Sequence, residues 1–91
     1  MPASVEVQVE RGDGGWTATV GVEQRGSRTE HRVTVRDEDL ARYRATDAAD
    51  LVRRSFEFLL AREPNTSILR EFRITEIERY FPEYASSIRG Q

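Results

Sequence analysis

Hydrophobic and polar residues alternate along the first part of the chain. Val5, Val7 and Val9 alternate with Glu6, Gln8 and Glu10, a period of two that puts the valines on one face of a strand. The run Arg11-Gly12-Asp13-Gly14-Gly15 follows, rich in the residue that accepts positive φ at no steric cost. Trp16, Ala18, Val20 and Val22 then alternate with Thr17, Thr19, Gly21 and Glu23, and a turn pivots on Gly26. Thr29, His31, Val33 and Val35 complete the pattern against Glu30, Arg32 and Thr34. The spacing predicts strands over about 4–10, 16–23 and 28–35, joined as a three-stranded antiparallel meander with one apolar and one wet face. Strands one and three would flank strand two, leaving two edges that Glu10, Arg32 and Arg36 would keep from stray pairing.

Beyond residue 36 the period changes. Asp37, Glu38 and Asp39 suit the positive end of a helix dipole, and Leu40 and Tyr43 lie three apart, which predicts a short helix over 37–44. Asp47 with Asp50 three residues later resembles a capping box opening a helix over 47–62. There Ala48, Leu51, Val52, Ser55, Phe56, Phe58, Leu59 and Leu60 fill an arc of about 200° at about 100° per residue. So wide an arc implies cover on two sides, by the sheet and by the C-terminal segment. Pro64 ends this helix, and Ile68, Leu69 and Phe72 suggest a short helix over 66–72. Thr75-Glu76-Ile77-Glu78 reads as a capping box for a helix over 75–81. Pro82 then either kinks that helix or sits in the first turn of a last one over 82–89. The expected fold is a single α+β domain spanning 1–91.

Composition narrows the class. Leu, Ile, Val and Phe account for 21 of 91 residues and the net charge is −2, so the chain folds rather than staying disordered. Cysteine is absent, which removes disulfides and thiol chemistry and favours a cytoplasmic setting. The start lacks the charged and apolar blocks of a signal peptide, and the longest apolar stretch, 56–61, is too short to span a bilayer. No membrane partner is expected.

All 14 basic residues are arginine. Residues 1–40 carry eight acids and five bases, and 41–91 eight acids and nine bases, so neither half is basic enough for an ordinary nucleic-acid face. Arg42, Arg44, Arg53 and Arg54 form the one cluster where an anion or nucleic acid would bind. A nucleic-acid-binding regulator is therefore the alternative reading.

No catalytic, cofactor or metal site is expected. His31 is the sole histidine and falls on the apolar phase of its strand, a part-buried residue near the sheet edge rather than a ligand or triad base. The acids at 37–39 and at 76, 78 and 83 sit at predicted helix starts, where they serve the dipole. The glycine run at 12–15 joins two strands, unlike a phosphate loop, which opens onto a helix.

The most distinctive local feature is Tyr80-Phe81-Pro82-Glu83-Tyr84. Tyr80, Phe81 and Tyr84 are read as a candidate interaction surface, since aromatics gather at interface centres. The segments Ser55-Phe-Glu-Phe-Leu-Leu-Ala-Arg-Glu-Pro64, Ser67-Ile-Leu-Arg70 and Arg79-Tyr-Phe-Pro-Glu-Tyr84 resemble a family of small bacterial proteins of uncharacterised function. That resemblance covers roughly the last 40 residues and implies no activity. The expected function is non-enzymatic: a module that binds a protein partner or itself, with a homodimer as one form.

Overall fold

The computed structural model describes residues 3–90. Three long strands, β1 (Ser4–Gly12), β2 (Gly15–Gln24) and β3 (Ser27–Arg36), form the expected antiparallel meander. The β2–β3 turn places Arg25 and Gly26 at φ of 51° and 81°, the two left-handed positions of a tight hairpin turn whose twist matches the strands. The inner face carries Ala18, Val20, Val22, Val33 and Val35, all fully buried.

Helices α1 (Asp37–Arg42) and α2 (Ala48–Leu60) follow. The Asp47 carboxylate accepts from the backbone N–H groups of Ala49 and Asp50 and so caps α2. Asp50 turns outward to Arg54 instead of closing the box. α1 stops where Arg44 enters the left-handed region at φ 54° and the N–H of Ala45 bonds back to the Leu40 carbonyl, the geometry that satisfies a helix C-terminus. Both sides of α2 are covered, as its wide apolar arc requires. Leu51, Val52 and Phe56 belong to one core with the inner-face valines, and Phe58 meets Phe81 and Tyr84 edge-on at 5.8 and 5.2 Å.

The expected helix over 66–72 does not form. A 3-10 turn at Asn65–Ser67 leads instead to a fourth strand, β4 (Glu71–Arg73), which pairs parallel with β3. The sheet therefore has the order β1-β2-β3-β4. Asn65 is the cause. Its amide donates to the carbonyl of Ser27 and to Thr29 Oγ1 rather than capping a helix, and the chain is extended at Ile68. The N–H of Arg32 then donates to the carbonyl of Arg70 at 2.7 Å. Arg32 and Arg36 consequently do not guard an edge, because β3 is an interior strand.

The last segments are shorter than expected. A 3-10 turn at Ile74–Glu76 runs into α3 (Ile77–Tyr80), and α4 (Tyr84–Arg89) follows a turn containing Pro82. The Thr75–Glu78 box is not made. Glu76 caps the N–H of Arg73, while Glu78 takes both arms of the Arg42 guanidinium and the phenol of Tyr43. That pairing holds the Glu78 carboxyl down at about 2, through Arg42 first.

His31 is more enclosed than a strand edge would make it, at 2% exposure. Its Nδ1 lies 2.8 Å from the Leu69 carbonyl and its Nε2 2.8 Å from Thr29 Oγ1. A carbonyl only accepts, so Nδ1 carries the proton and Nε2 accepts from the threonine hydroxyl, whose oxygen accepts in turn from Asn65. Burial lowers the His31 pKa from 6.5. The unfolded chain then binds a proton more readily, and stability is full above about pH 6.5 and declines as pH falls below it. With one histidine in the chain, denaturant midpoints measured between pH 8 and pH 5 should show this slope, and His31→Gln should flatten it.

Candidate interaction surface

Among the described residues two large apolar side chains stand out from the surface: Leu69 at 46% exposure and Tyr80 at 63%. They frame one cleft whose floor is Leu59, Ile68, Phe72, Ile77 and Phe81. Glu63 and Glu76 stand on its rim. The cleft is shallow, enclosing about 30 Å³, which is room for the tip of one side chain rather than a whole small-molecule ligand.

Local chemistry explains each wall. Leu69 sits between the 3-10 turn and β4, and its carbonyl is pinned by the buried His31 ring. Its backbone is thus anchored from inside while its side chain faces out. Tyr80 is the last residue of α3. Pro82 disfavours helical backbone at Phe81, and Phe81 leaves the helical region at φ −133° and ψ 87°. The helix therefore ends with Tyr80 outward and Phe81 turned onto Phe58. Among the described residues the Glu63 carboxylate makes no ion pair or hydrogen bond, and partial burial raises its pKa.

The expected aromatic surface is thus divided. Tyr80 and Phe81 line the cleft, but Tyr84 belongs to the core at 0% exposure. Its ring lies 5.2 Å from those of Tyr43 and Phe58, and its hydroxyl donates to Ser55 Oγ. Tyr80 and Tyr84 would share a face of one continuous helix, and the Pro82 turn removes that helix. Sequence reasoning missed Leu69, Glu63 and Glu76 as cleft residues. The outward signal for Leu69 was absent because 66–72 read as a helix with Leu69 on its apolar side.

The four arginines do not converge. Arg42 forks onto Glu78 of α3, Arg53 donates to the Val5 carbonyl of β1, and Arg54 bonds Asp50 and the Ile88 carbonyl of α4. Arg44 is exposed and turns the chain after α1. The cluster is close in sequence and dispersed among three elements in space. Nearby, Arg73 with Glu38 and Asp39 makes a mixed-charge network that is paired internally.

Among the described residues no group of three His, Asp or Glu side chains gathers at metal-binding distance, and no helix is long and apolar enough to cross a membrane. No protein-family model, curated protein or solved structure matches the chain.

Proposed function

We propose that this is a non-enzymatic protein-interaction module of a small bacterial protein, acting in the cytoplasm, and that its partner docks in the Leu69–Tyr80 cleft. The observation that carries this reading is the pairing of two exposed large apolar side chains across one groove. Tyrosine is favoured at interface centres because its rigid ring covers much area and its hydroxyl stays wet. Glu63 and Glu76 on the rim select an apolar side chain flanked by a lysine or arginine, whose stem lies on the cleft while its cation meets the carboxylates. The nucleic-acid reading ranks second. Arg42 and Arg54 already pair with acids, which leaves little charge for phosphate.

The test compares capture from a lysate of the source cell by the immobilised wild type and by Tyr80→Glu and Leu69→Asp. Both positions are exposed, so thermal midpoints should stay within a few degrees. Loss of a hot-spot residue is expected to weaken binding by at least about tenfold. A partner held equally by wild type and both variants refutes the cleft as the docking site. Capture that disappears on nuclease treatment supports the nucleic-acid reading instead.

A further inference from the structure

We propose that two copies of this chain pair antiparallel along β1, with Val7 on the two-fold axis, making one continuous eight-stranded sheet. β1 is an edge strand of nine residues in unbroken register with β2, free of proline and bulge. The opposite edge, β4, has three residues. A long regular edge is a ready template for another strand; it lacks proline, a bulge and any inward-pointing charge among Val5, Val7 and Val9, and its protection rests on the charges of Glu6, Glu10 and Arg11.

The register shows which backbone groups are free. In an antiparallel ladder, pairs alternate between those that exchange hydrogen bonds and those that do not. The tight hairpin closes on Gly12 and Gly15, so Glu10, Gln8, Glu6 and Ser4 bond to β2. The N–H and carbonyl groups of Val5, Val7, Val9 and Arg11 then point away from the sheet. Two contacts agree with this phase. The Val5 carbonyl is free to accept from Arg53 at 3.0 Å. On the other side of the sheet, Arg32, two steps of parity away, directs its N–H outward to Arg70.

Charge and valine pairing together select the alignment, since axes on Val5 or Val9 also keep acids apart but only the Val7 axis sets all three valines against valines. With Val7 opposite its own copy, Val5 faces Val9, Glu6 faces Gln8 and Ser4 faces Glu10, so no acid opposes an acid. Moving the axis to Gln8 sets Glu6 against Glu10 twice, and moving it to Glu6 sets that residue against itself; like charges directly opposite are destabilising. Glu6 is also partly screened within its own copy by Arg28, whose guanidinium crosses the bare backbone of Gly21 to reach it at 3.7 Å. On the inner face the half-buried Val5, Val7 and Val9 of the two copies join into one strip. The Val5 carbonyl has a second lone pair, so Arg53 keeps its bond.

Sedimentation equilibrium over micromolar concentrations tests the proposal. Wild type should show a monomer–dimer equilibrium. Val7→Pro removes the N–H at the axis but no β1–β2 bond, so it should leave a folded monomer. Charge variants give a second, fold-independent check: Gln8→Arg should tighten and Gln8→Glu weaken the dimer, each by about two- to thirtyfold, through two symmetry-related pairs with Glu6. A wild type that is monomeric throughout overturns the proposal. So does a dimer indifferent to both Gln8 variants. Tyr80→Glu should not change this equilibrium, which separates the β1 contact from the cleft.

Discussion

Gly15→Ala is expected to lower the thermal midpoint by about 10–20 °C, the loss of about 2–3 kcal/mol that overpacking a closed site causes in a small domain. A Cβ at this position would lie 2.5 Å from the carbonyl oxygen of Val35 and 2.8 Å from the Cα of Arg36. Both are backbone atoms of the neighbouring strand, so no side-chain rotation relieves the clash. Gly15 pairs with Arg36 at the end of β3, immediately before α1 begins, and the Asp37 N–H bonds the adjacent Gly14 carbonyl at 3.0 Å. Pushing the strands apart there also strains the Arg11–Asp37 ion pair across the same junction. Gly12 is the control. Nothing lies within 4 Å of its Cβ position, so Gly12→Ala should change stability by no more than about 0.5 kcal/mol. Circular-dichroism melts of the two variants decide the matter, and equal midpoints would show that the strands separate at Gly15 without cost.

The contrast between these glycines marks the limit of what the sequence discloses. Glycine density at 12–15 reads correctly as a turn, because turn chemistry is local. Which glycine tolerates a side chain depends on Val35, twenty positions away. The same division holds for the elements. Three alternating runs of seven or eight residues carry enough period-two signal to be read directly, and α2 carries enough of the helical one. β4 has three residues, and only the Phe72–Ile74 alternation marks it. Its place in the sheet comes from the Arg32–Arg70 bond and from Asn65, whose amide reaches Val22, Ser27 and Thr29. No window of sequence contains both halves of those contacts.

Two of the three residues of the candidate surface are legible in the sequence. Tyr80 is exposed as its sequence setting suggests, and Phe81 lines the floor of the same cleft. Tyr84 could not be separated from them locally. Its burial follows from Ser55 and Tyr43, which are 29 and 41 positions earlier. The acids read as helix-start charges in the sequence, and Asp39 does serve that end, accepting from the Arg36 N–H. Glu78 is instead claimed by Arg42 and Tyr43. A carboxylate within reach of a guanidinium fork gains more from a paired, charge-assisted bond than from a dipole at an exposed helix end.

Arg73→Leu should be the most damaging single exchange of a surface-reaching residue, costing about 3–5 kcal/mol. The Asp39 side chain is 2% exposed, whereas that of Arg73 is 35% exposed. The two guanidinium bonds, 2.7 Å from Nη2 and 3.1 Å from Nε, are the acid's contacts with a cation. Removing the arginine leaves a charge shut away from water with only the Arg36 N–H beside it. A domain of this size has about 5–13 kcal/mol in total, so the variant should be partly unfolded at 37 °C. The loss lies in the orphaned charge and not in the missing pair, and this gives a sharper check. Adding Asp39→Asn to Arg73→Leu should recover much of the stability, because the neutral amide keeps the Arg36 cap and carries no charge to strand. Arg73→Lys should fall between wild type and Arg73→Leu, since it keeps the charge but cannot make the two-armed contact. Urea midpoints of the four proteins order these effects. If the double variant is as unstable as the sum of its parts, Arg73 acts by packing β4 against α1, and the buried carboxylate is not what its guanidinium stabilises.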